Sequence, residues 1–314
     1  SRVRFPFLLR RKFDSNPIHA LADSLSSGYS EINTELVDIN HMRSEKQTLE
    51  FTKMEACGND YIYVNCFNQK IDNPEGLSIR FADRHFGIGG DGVVLMYPSD
   101  VADVKMRMFN LDGTEGRMCG NAARCIAKYL IDNGIVDRDY VTIETLSGIR
   151  KVAVEKVNGV VSYATVDMGK AELNPAMIPV KLPGDTAIGV PTKVADGRYR
   201  ITCVSMGNPH CVVFSEDLDS PLDYLDLEKL GPKFENDPLF PERVNTEFIK
   251  VLNPKTLKMR VWERGSGETW ACGSGACAAV VAAVENGYCP KNEDITVKLK
   301  GGDLRIRYTD DAVY

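Results

Sequence analysis

The feature that most constrains this chain is an internal repeat. Glu263 to Ala283, ERGSGETWACGSGACAAVVAA, restates Asn110 to Ala127, NLDGTEGRMCGNAARCIA. In each copy a glutamate, Glu115 or Glu268, stands four residues before Cys-Gly, and a small polar residue and an Ala-rich run follow. Each run stops at Asn-Gly, and Cys119 to Cys272 and Asn133 to Asn286 are both 153 residues apart. A second landmark agrees: Gly58-Asn59 precedes apolar Tyr61 to Val64, and Gly207-Asn208 precedes Cys211 to Phe214, 149 residues later. A chain that carries one strand–turn–helix unit twice must fold as two similarly built lobes, with a site expected between them.

The repeat places equivalent thiols at equivalent helix starts. A helix N-terminus has unpaired N–H groups and partial positive charge, so it favours a thiolate or carboxylate lying against it. Free cysteine has a pKa of ~8.5, which such a position can lower. Cys119 and Cys272 are therefore the candidate reactive residues. Gly120 and Gly273 admit a ligand to the backbone, and Asn121 and Ser274 are small enough not to block it. A single free cysteine is more often a small core residue, but two in one duplicated context favour chemistry. Cys57, Cys66, Cys125, Cys203, Cys211, Cys277 and Cys289 lack that context and read as structural. The Cys119–Cys125 and Cys272–Cys277 intervals are wider than a zinc knuckle, so no metal is expected. No C-x-x-C redox motif occurs.

Composition narrows the partners. A net charge of −6 without a basic cluster along the body argues against nucleic acid, and no run of about 18 apolar residues suggests a membrane span. Nine cysteines, an odd number, point to a reducing compartment. Residues 1–50 differ from the rest. Arg2, Arg4, Arg10, Arg11 and Lys12 precede any acid, as at the start of an organellar transit peptide, but Asp14, Asp23 and Glu31 follow. This segment is read as an accessory extension.

The remainder reads as strands with few helices. Strands are expected at 61–65, 93–97, 104–110, 140–144, 151–156, 161–167, 198–205, 211–214, 245–251, 258–263, 295–299 and 303–308. Helices are expected at about 78–86, 120–132, 225–234 and 273–285. The fold class is α+β, two pseudo-symmetric lobes, each a curved, mostly antiparallel sheet or barrel around its central helix. The prolines at 175, 179, 183 and 191 mark the passage between lobes. The boundaries are 51–168 and 169–302, with 303–314 a candidate to return to the first lobe. Gly87 to Gly92 matches G-x-G-x-x-G, but a strand follows where a dinucleotide site needs a helix, so the stretch is assigned to a loop.

One thiol on each face of a bound molecule suits a two-base proton exchange at carbon, which inverts a stereocentre. An amino-acid α-proton is very weakly acidic. Without pyridoxal phosphate, the helix ends must stabilise the developing negative charge. Asn59, Asn110, Asn208 and Asn245 lie at strand edges or turns beside repeat landmarks; as turn residues they also serve as backbone caps. Glu263 and Arg264 suit an ammonium and a carboxylate. His210 is either an ordinary partly buried histidine or a group that helps position the site.

Several separated stretches resemble the diaminopimelate epimerase family: Gly58-Asn59-Asp60, Arg84-His85-Phe86-Gly87-Ile88-Gly89, Phe109-Asn110 to Asn121, Gly207-Asn208-Pro209-His210, Asn245, and Glu263-Arg264 to Gly275. The resemblance runs from Phe51 onward and implies cofactor-independent interconversion of LL- and meso-diaminopimelate, with Cys119 and Cys272 as the acid/base thiols. It implies that Gly120, Asn121, Gly273 and Ser274 hold the reacting carboxylate and that Asn59 and Glu263 contact the reacting amino end. Asn110, Asn208, Asn245 and Arg264 would then read the distal end. Members are typically homodimers of cytoplasm or plastid in lysine and peptidoglycan precursor synthesis. This chain departs in having Glu55-Ala56-Cys57 for the common His-Gly-Leu, Gly92 where some members have glutamine, and Val313-Tyr314 where the family continues into a further strand. Two alternatives stand beside this reading. Racemases of proline or hydroxyproline resemble it too, but carry histidine where Asn121 stands. A non-enzymatic thiol redox or binding protein is the other.

Overall fold

The computed structural model describes residues 9–14 and 48–314. In the first sheet the strand order is β1 (Leu9–Asp14), β2 (Thr48–Ala56), β3 (Asn59–Asn65), β4 (Gly92–Tyr97), β5 (Val104–Asn110), β7 (Tyr140–Thr145), β8 (Gly148–Val157) and β9 (Val160–Val166), with short β6 (Glu115–Gly116) on β5. The second runs β10 (Val190–Val194), β11 (Gly197–Ser205), β12 (Pro209–Phe214), β13 (Asn245–Asn253), β14 (Thr256–Glu263), β16 (Asp294–Leu299) and β17 (Gly302–Arg307), with β15 (Gly267–Thr269) on β14. From β1 to β8 and from β10 to β17 the two orders coincide position by position, and β9 is an extra strand of the first sheet.

Most neighbours are antiparallel, but β3–β4, β5–β7, β12–β13 and β14–β16 are parallel. Parallel neighbours need a crossover rather than a hairpin. Four α-helices among the described residues supply these crossovers: α1 (Pro74–Ala82), α2 (Gly120–Asp132), α3 (Leu227–Glu235) and α4 (Gly273–Glu285). Both sheets curl, each around the second helix of its lobe. The α+β, two-lobed class expected from the repeat is the architecture found.

Burial explains the layering. From Gly275 to Ala283 every residue of α4 is buried. Val280 and Val281 each contribute about 1.5–3 kcal/mol by leaving water, and the alanines let strands approach the helix closely. All of β12 is buried, because its two faces meet different layers. Val212 and Phe214 face the core around α4, whereas Cys211 and Val213 join Phe234 of α3 and Phe248 in an outer layer. The first lobe repeats this with Phe81 of α1 over Ile62, Val64, Val93 and Leu95. One core contains both central helices.

Local chemistry sets the helix ends. Asn133 and Asn286 each turn their side-chain N–H back onto a helical carbonyl, at 2.7 and 2.8 Å, and Gly134 and Gly287 follow at φ +67° and +78°. The first helix begins four residues before the expected Ser78. Asn73 caps it by accepting from the Gly76 N–H at 2.9 Å, Pro74 suits its first turn, and Asp83 stops it by accepting from the N–H groups of His85 and Phe86.

Two segments sit apart from the sequence reading. Leu9–Asp14, within the segment set aside as an extension, pairs antiparallel with β2 as an edge strand. The transit-peptide-like reading otherwise falls outside the described residues. At the other end, β17 pairs with β16 in the second sheet, while Val313 exchanges backbone hydrogen bonds with Met168 and Gly169, each 2.9 Å, where the first lobe hands over to the second. Among the described residues no helix is long and apolar enough to cross a membrane.

Candidate active site

The two central helices meet at their N-termini. A side chain added at Gly273 would place its first carbon 3.9 Å from Asn121 Oδ1 and 4.0 Å from Gly120 Cα. Cys119 and Cys272 are the residues before these helices and share an extended backbone, φ/ψ −136°/117° and −119°/112°. Each is delivered by a short hairpin closed by an equivalent ion pair. Arg107 grips Glu115 through Nε at 2.7 Å and Nη2 at 2.9 Å, and Arg260 grips Glu268 at 2.9 and 3.0 Å. The glutamate that recurs four residues before each cysteine thus anchors the turn on which the thiol stands.

Around Cys119 the polar groups come from the first lobe. Its thiol donates to Asn59 Oδ1 at 3.5 Å, which also accepts from Asn121 Nδ2 at 3.2 Å. Around Cys272 they come from the second. The Gly275 N–H donates to its sulfur at 3.3 Å, Ser274 Oγ lies 3.6 Å away, and Asn208 Nδ2 reaches Ser274 at 3.5 Å. Asn59 with Asn121 and Asn208 with Ser274 join equivalent positions in the two halves of the repeat, with the donor on opposite sides.

Glu263 links the two sides. Its half-buried carboxylate accepts from Thr269 Oγ1 and acts on both thiols. Burial pushes its own pKa up, with Thr269, His210 and Cys272 opposing. Burial raises the Cys119 thiol; Glu263 adds to this, while the N–H groups of Ala122 and Asn121 and the charge of Arg124 pull the other way. Cys272 rises well above its ordinary value, again through burial first and then through Glu263 and Glu247. The lowering expected from the helix ends is present but outweighed. Desolvation penalises a thiolate, and two carboxylates face one of the thiols.

The other expected residues are distributed as follows. Fully buried His210 bridges Glu247 Oε1, 2.7 Å from Nδ1, and Asn208 Oδ1, 3.0 Å from Nε2. Buried Asn245 donates to the Pro209 carbonyl at 3.0 Å and accepts from the Arg264 N–H at 2.9 Å. Arg264 itself reaches the Glu242 carbonyl at 2.7 Å. Asn110 is spent within its own turn, donating to Thr114 Oγ1 at 3.0 Å. These contacts gather Asn59, Asn121, Asn208, Ser274 and Glu263 at the helix ends. Asn245 and Arg264 form a second group beside His210, and no contact joins Asn110 to the thiols.

Three residues of the network were not singled out from sequence. Asp91 accepts from Asn59 Nδ2 at 2.6 Å, Arg124 donates to Asn121 Oδ1, and Glu247 holds His210. Arg124 had a signal, since it interrupts the first Ala-rich run where Cys277 stands in the second copy. Glu247, within a buried strand, had none. The Gly92 departure has a backbone reason: a Cβ there would lie 2.0 Å from the Phe109 carbonyl oxygen. Glu55 caps the following tight turn by accepting from the Gly58 N–H at 2.9 Å.

Among the described residues no three His, Cys, Asp or Glu side chains gather as a metal would require. A cavity of about 600 Å³ lined by Tyr97, Lys105, Arg107, Glu115 and Glu144 contains none of the expected site residues. Its charges are already paired, Arg107 with Glu115 and Lys105 with Glu144 at 2.9 Å.

Two curled sheets around facing helices are an architecture shared with isomerases of known structure. A probable proline racemase from Agrobacterium radiobacter superimposes with a TM-score of 0.61 at 15% identity, over 83% of this chain and 86% of that one. A hydroxyproline epimerase from Agrobacterium vitis gives the same values. These likenesses define the fold. Sequence relatives are more specific: diaminopimelate epimerases from Desulfovibrio desulfuricans, 52% identical over 83% of this chain and 91% of the relative, and from Methanococcus maripaludis, 49% identical over 83% and 92%. The family model for diaminopimelate epimerase matches residues 51–174 and 202–314. The chain belongs to the diaminopimelate epimerase family.

Proposed function

We propose that the protein is an isomerase that interconverts LL-2,6- and meso-2,6-diaminopimelate in lysine biosynthesis, by proton exchange between Cys119, the substrate α-carbon and Cys272. The observation that carries this is the abutment of two repeat-related helix N-termini, each preceded by a thiol and both thiols within the influence of Glu263. Membership of the family supports the substrate.

The chemistry follows from the electrostatics. In the free site burial and carboxylates hold both thiols protonated. A bound α-ammonium beside Glu263 and the Asn59 carbonyl offsets that negative charge, so one thiolate becomes accessible once substrate arrives. The α-carboxylate takes the N–H groups at Gly120, Asn121, Gly273 and Ser274, where both helix dipoles converge and stabilise negative charge developing at the α-carbon. One thiolate removes the proton from one face and the opposing thiol delivers another, so the centre inverts and the proton count is unchanged. No pyridoxal phosphate is assigned a part. Asn208, Asn245 and Arg264, with Asn110 from the first lobe, read the distal amino acid, and His210 supports Asn208. We assign the units to 51–168 and 169–302, the second extended by β17, which pairs with β16, and the working form to a cytoplasmic homodimer.

Incubation of LL-diaminopimelate with the reduced protein in deuterated water tests this. Deuterium should enter the α-position as the meso isomer forms; absence of both label and inversion would refute the assignment.

A further inference from the structure

We propose that Asp91, delivered by the glycine-rich loop 87–92, is a positioning residue that fixes which end of the Asn59 amide faces Cys119. The two ends of an asparagine amide have nearly the same shape and opposite hydrogen-bonding character, so the surrounding network decides its orientation. Here that network ends in groups that admit no ambiguity. An ionised carboxylate only accepts and a guanidinium only donates.

Asp91 Oδ2 accepts from Asn59 Nδ2 at 2.6 Å and from the Asp60 N–H at 3.1 Å, while its Oδ1 takes Arg84 Nη2 at 2.9 Å. The amide nitrogen of Asn59 is thereby turned away from the thiol, and its carbonyl oxygen meets Cys119 and Asn121. Arg124 holds the far end by donating to Asn121 Oδ1, which leaves Asn121 Nδ2 to donate to Asn59. Every bond from Arg124 to Asp91 therefore runs in one sense. A carbonyl facing the reacting centre accepts from a thiol or an ammonium; an N–H there would not.

The loop is built to bring Asp91 to this place. The N–H groups of Ile88, Gly89 and Gly90 bond back onto Phe81 and Ala82 carbonyls at 2.8–3.0 Å, and the Asp91 N–H reaches the Asp60 carbonyl at 2.6 Å. Backbone packs on backbone so closely that a Cβ at Gly87 would lie 2.3 Å from the Arg80 carbonyl oxygen and at Gly92 2.0 Å from that of Phe109, while Gly89 takes a φ of +81°. The G-x-G-x-x-G spacing reflects this packing.

The inference rests on the reading of Asn59 and Cys119 as site residues, so its test uses no substrate and is independent of whether epimerisation occurs. Alkylation of Cys119 by iodoacetamide at one fixed pH is followed by peptide mass spectrometry, with Cys272 as internal control. In Asp91→Leu only the Asn121 N–H still holds the Asn59 carbonyl, so the amide can swing part of the time to present an N–H to the sulfur and favour its thiolate. Cys119 should then react about fivefold faster, as expected for a change in one hydrogen bond, with Cys272 unchanged. Asp91→Asn keeps an acceptor oxygen at the Asp60 N–H and should stay within about twofold of wild type. In an Asn59→Leu background, Asp91→Leu should have no further effect on Cys119. Asp91→Ser, too short to reach Asn59, repeats the test if Asp91→Leu does not melt cooperatively. An unchanged Cys119 rate in Asp91→Leu, or the same change without Asn59, would overturn the proposal.

Discussion

At the scale of single residues the proposed acid/base thiols set what can be measured. Burial, Glu263 and Glu247 raise Cys272, and burial and Glu263 raise Cys119, so at neutral pH the thiolate population of the free protein is small. The sign for activity follows: kcat/KM reports the free enzyme, and the base form of a raised thiol grows about tenfold per pH unit until its pKa is passed. The profile should climb from pH 6 to beyond ~8.5, the ordinary cysteine value, and a plateau reached below pH 7 would contradict the assigned environment. Cys119→Ser and Cys272→Ser should each lower kcat by about 10²–10⁴-fold or more, measured as inversion of either isomer, with melting curves unchanged. The placement of both cysteines at helix starts was legible from their duplicated context. Their pKa direction was not, because the N–H groups that lower it are local in sequence, whereas Glu263 reaches Cys119 only through the fold.

Among the elements, the hairpins that carry the thiols are the informative ones. The Arg260–Glu268 fork is about one-fifth exposed and Arg260 also donates to the Leu222 and Leu225 carbonyls, at 3.0 and 2.6 Å. Arg107–Glu115 is more open, with its side chains 33% and 27% exposed. Removing Arg260 strands a partly buried carboxylate and two carbonyls; removing Arg107 leaves groups that water reaches. Arg260→Leu should therefore cost about 2–4 kcal/mol and Arg107→Leu about 1 kcal/mol or less, compared by urea denaturation of the two variants. Equal losses would show that burial is not the deciding factor. The glutamates were visible as part of the repeat, and most helix and strand positions followed from pattern. The first helix was misplaced because its start is set by the Asn73 cap and Pro74, outside any apolar period.

For the whole molecule, the lobes touch not only at the helix ends but at their turns. Gly58 faces Trp270, and a Cβ at Gly301 would lie 1.8 Å from the Cys57 carbonyl oxygen, a backbone atom that cannot swing aside. Trp270 is held there by the Gly301 N–H, which donates to its carbonyl at 2.8 Å. Gly301→Ala should force the turns apart, lowering stability by about 1–3 kcal/mol and kcat/KM with it, since the two thiols belong to different lobes. Calorimetry and isomer-inversion rates check this together. A variant with full activity would show that the contact does not set the spacing of the lobes.

Local spacing and apolar period dictate the two-fold repeat, the central helices with their cysteine starts and Asn-Gly ends, and the wrapped-sheet class, so each of these could be read along the chain. Folding in three dimensions set the rest: which carboxylates face each sulfur, how the Asn59 amide is turned, why a side chain at Gly92 would clash, and which turns join the lobes. The physical reason is distance along the chain. Asn59, Asp91, Cys119 and Glu263 are separated by dozens of residues, and only the closing of both sheets around their helices brings their polar atoms within hydrogen-bonding or electrostatic reach.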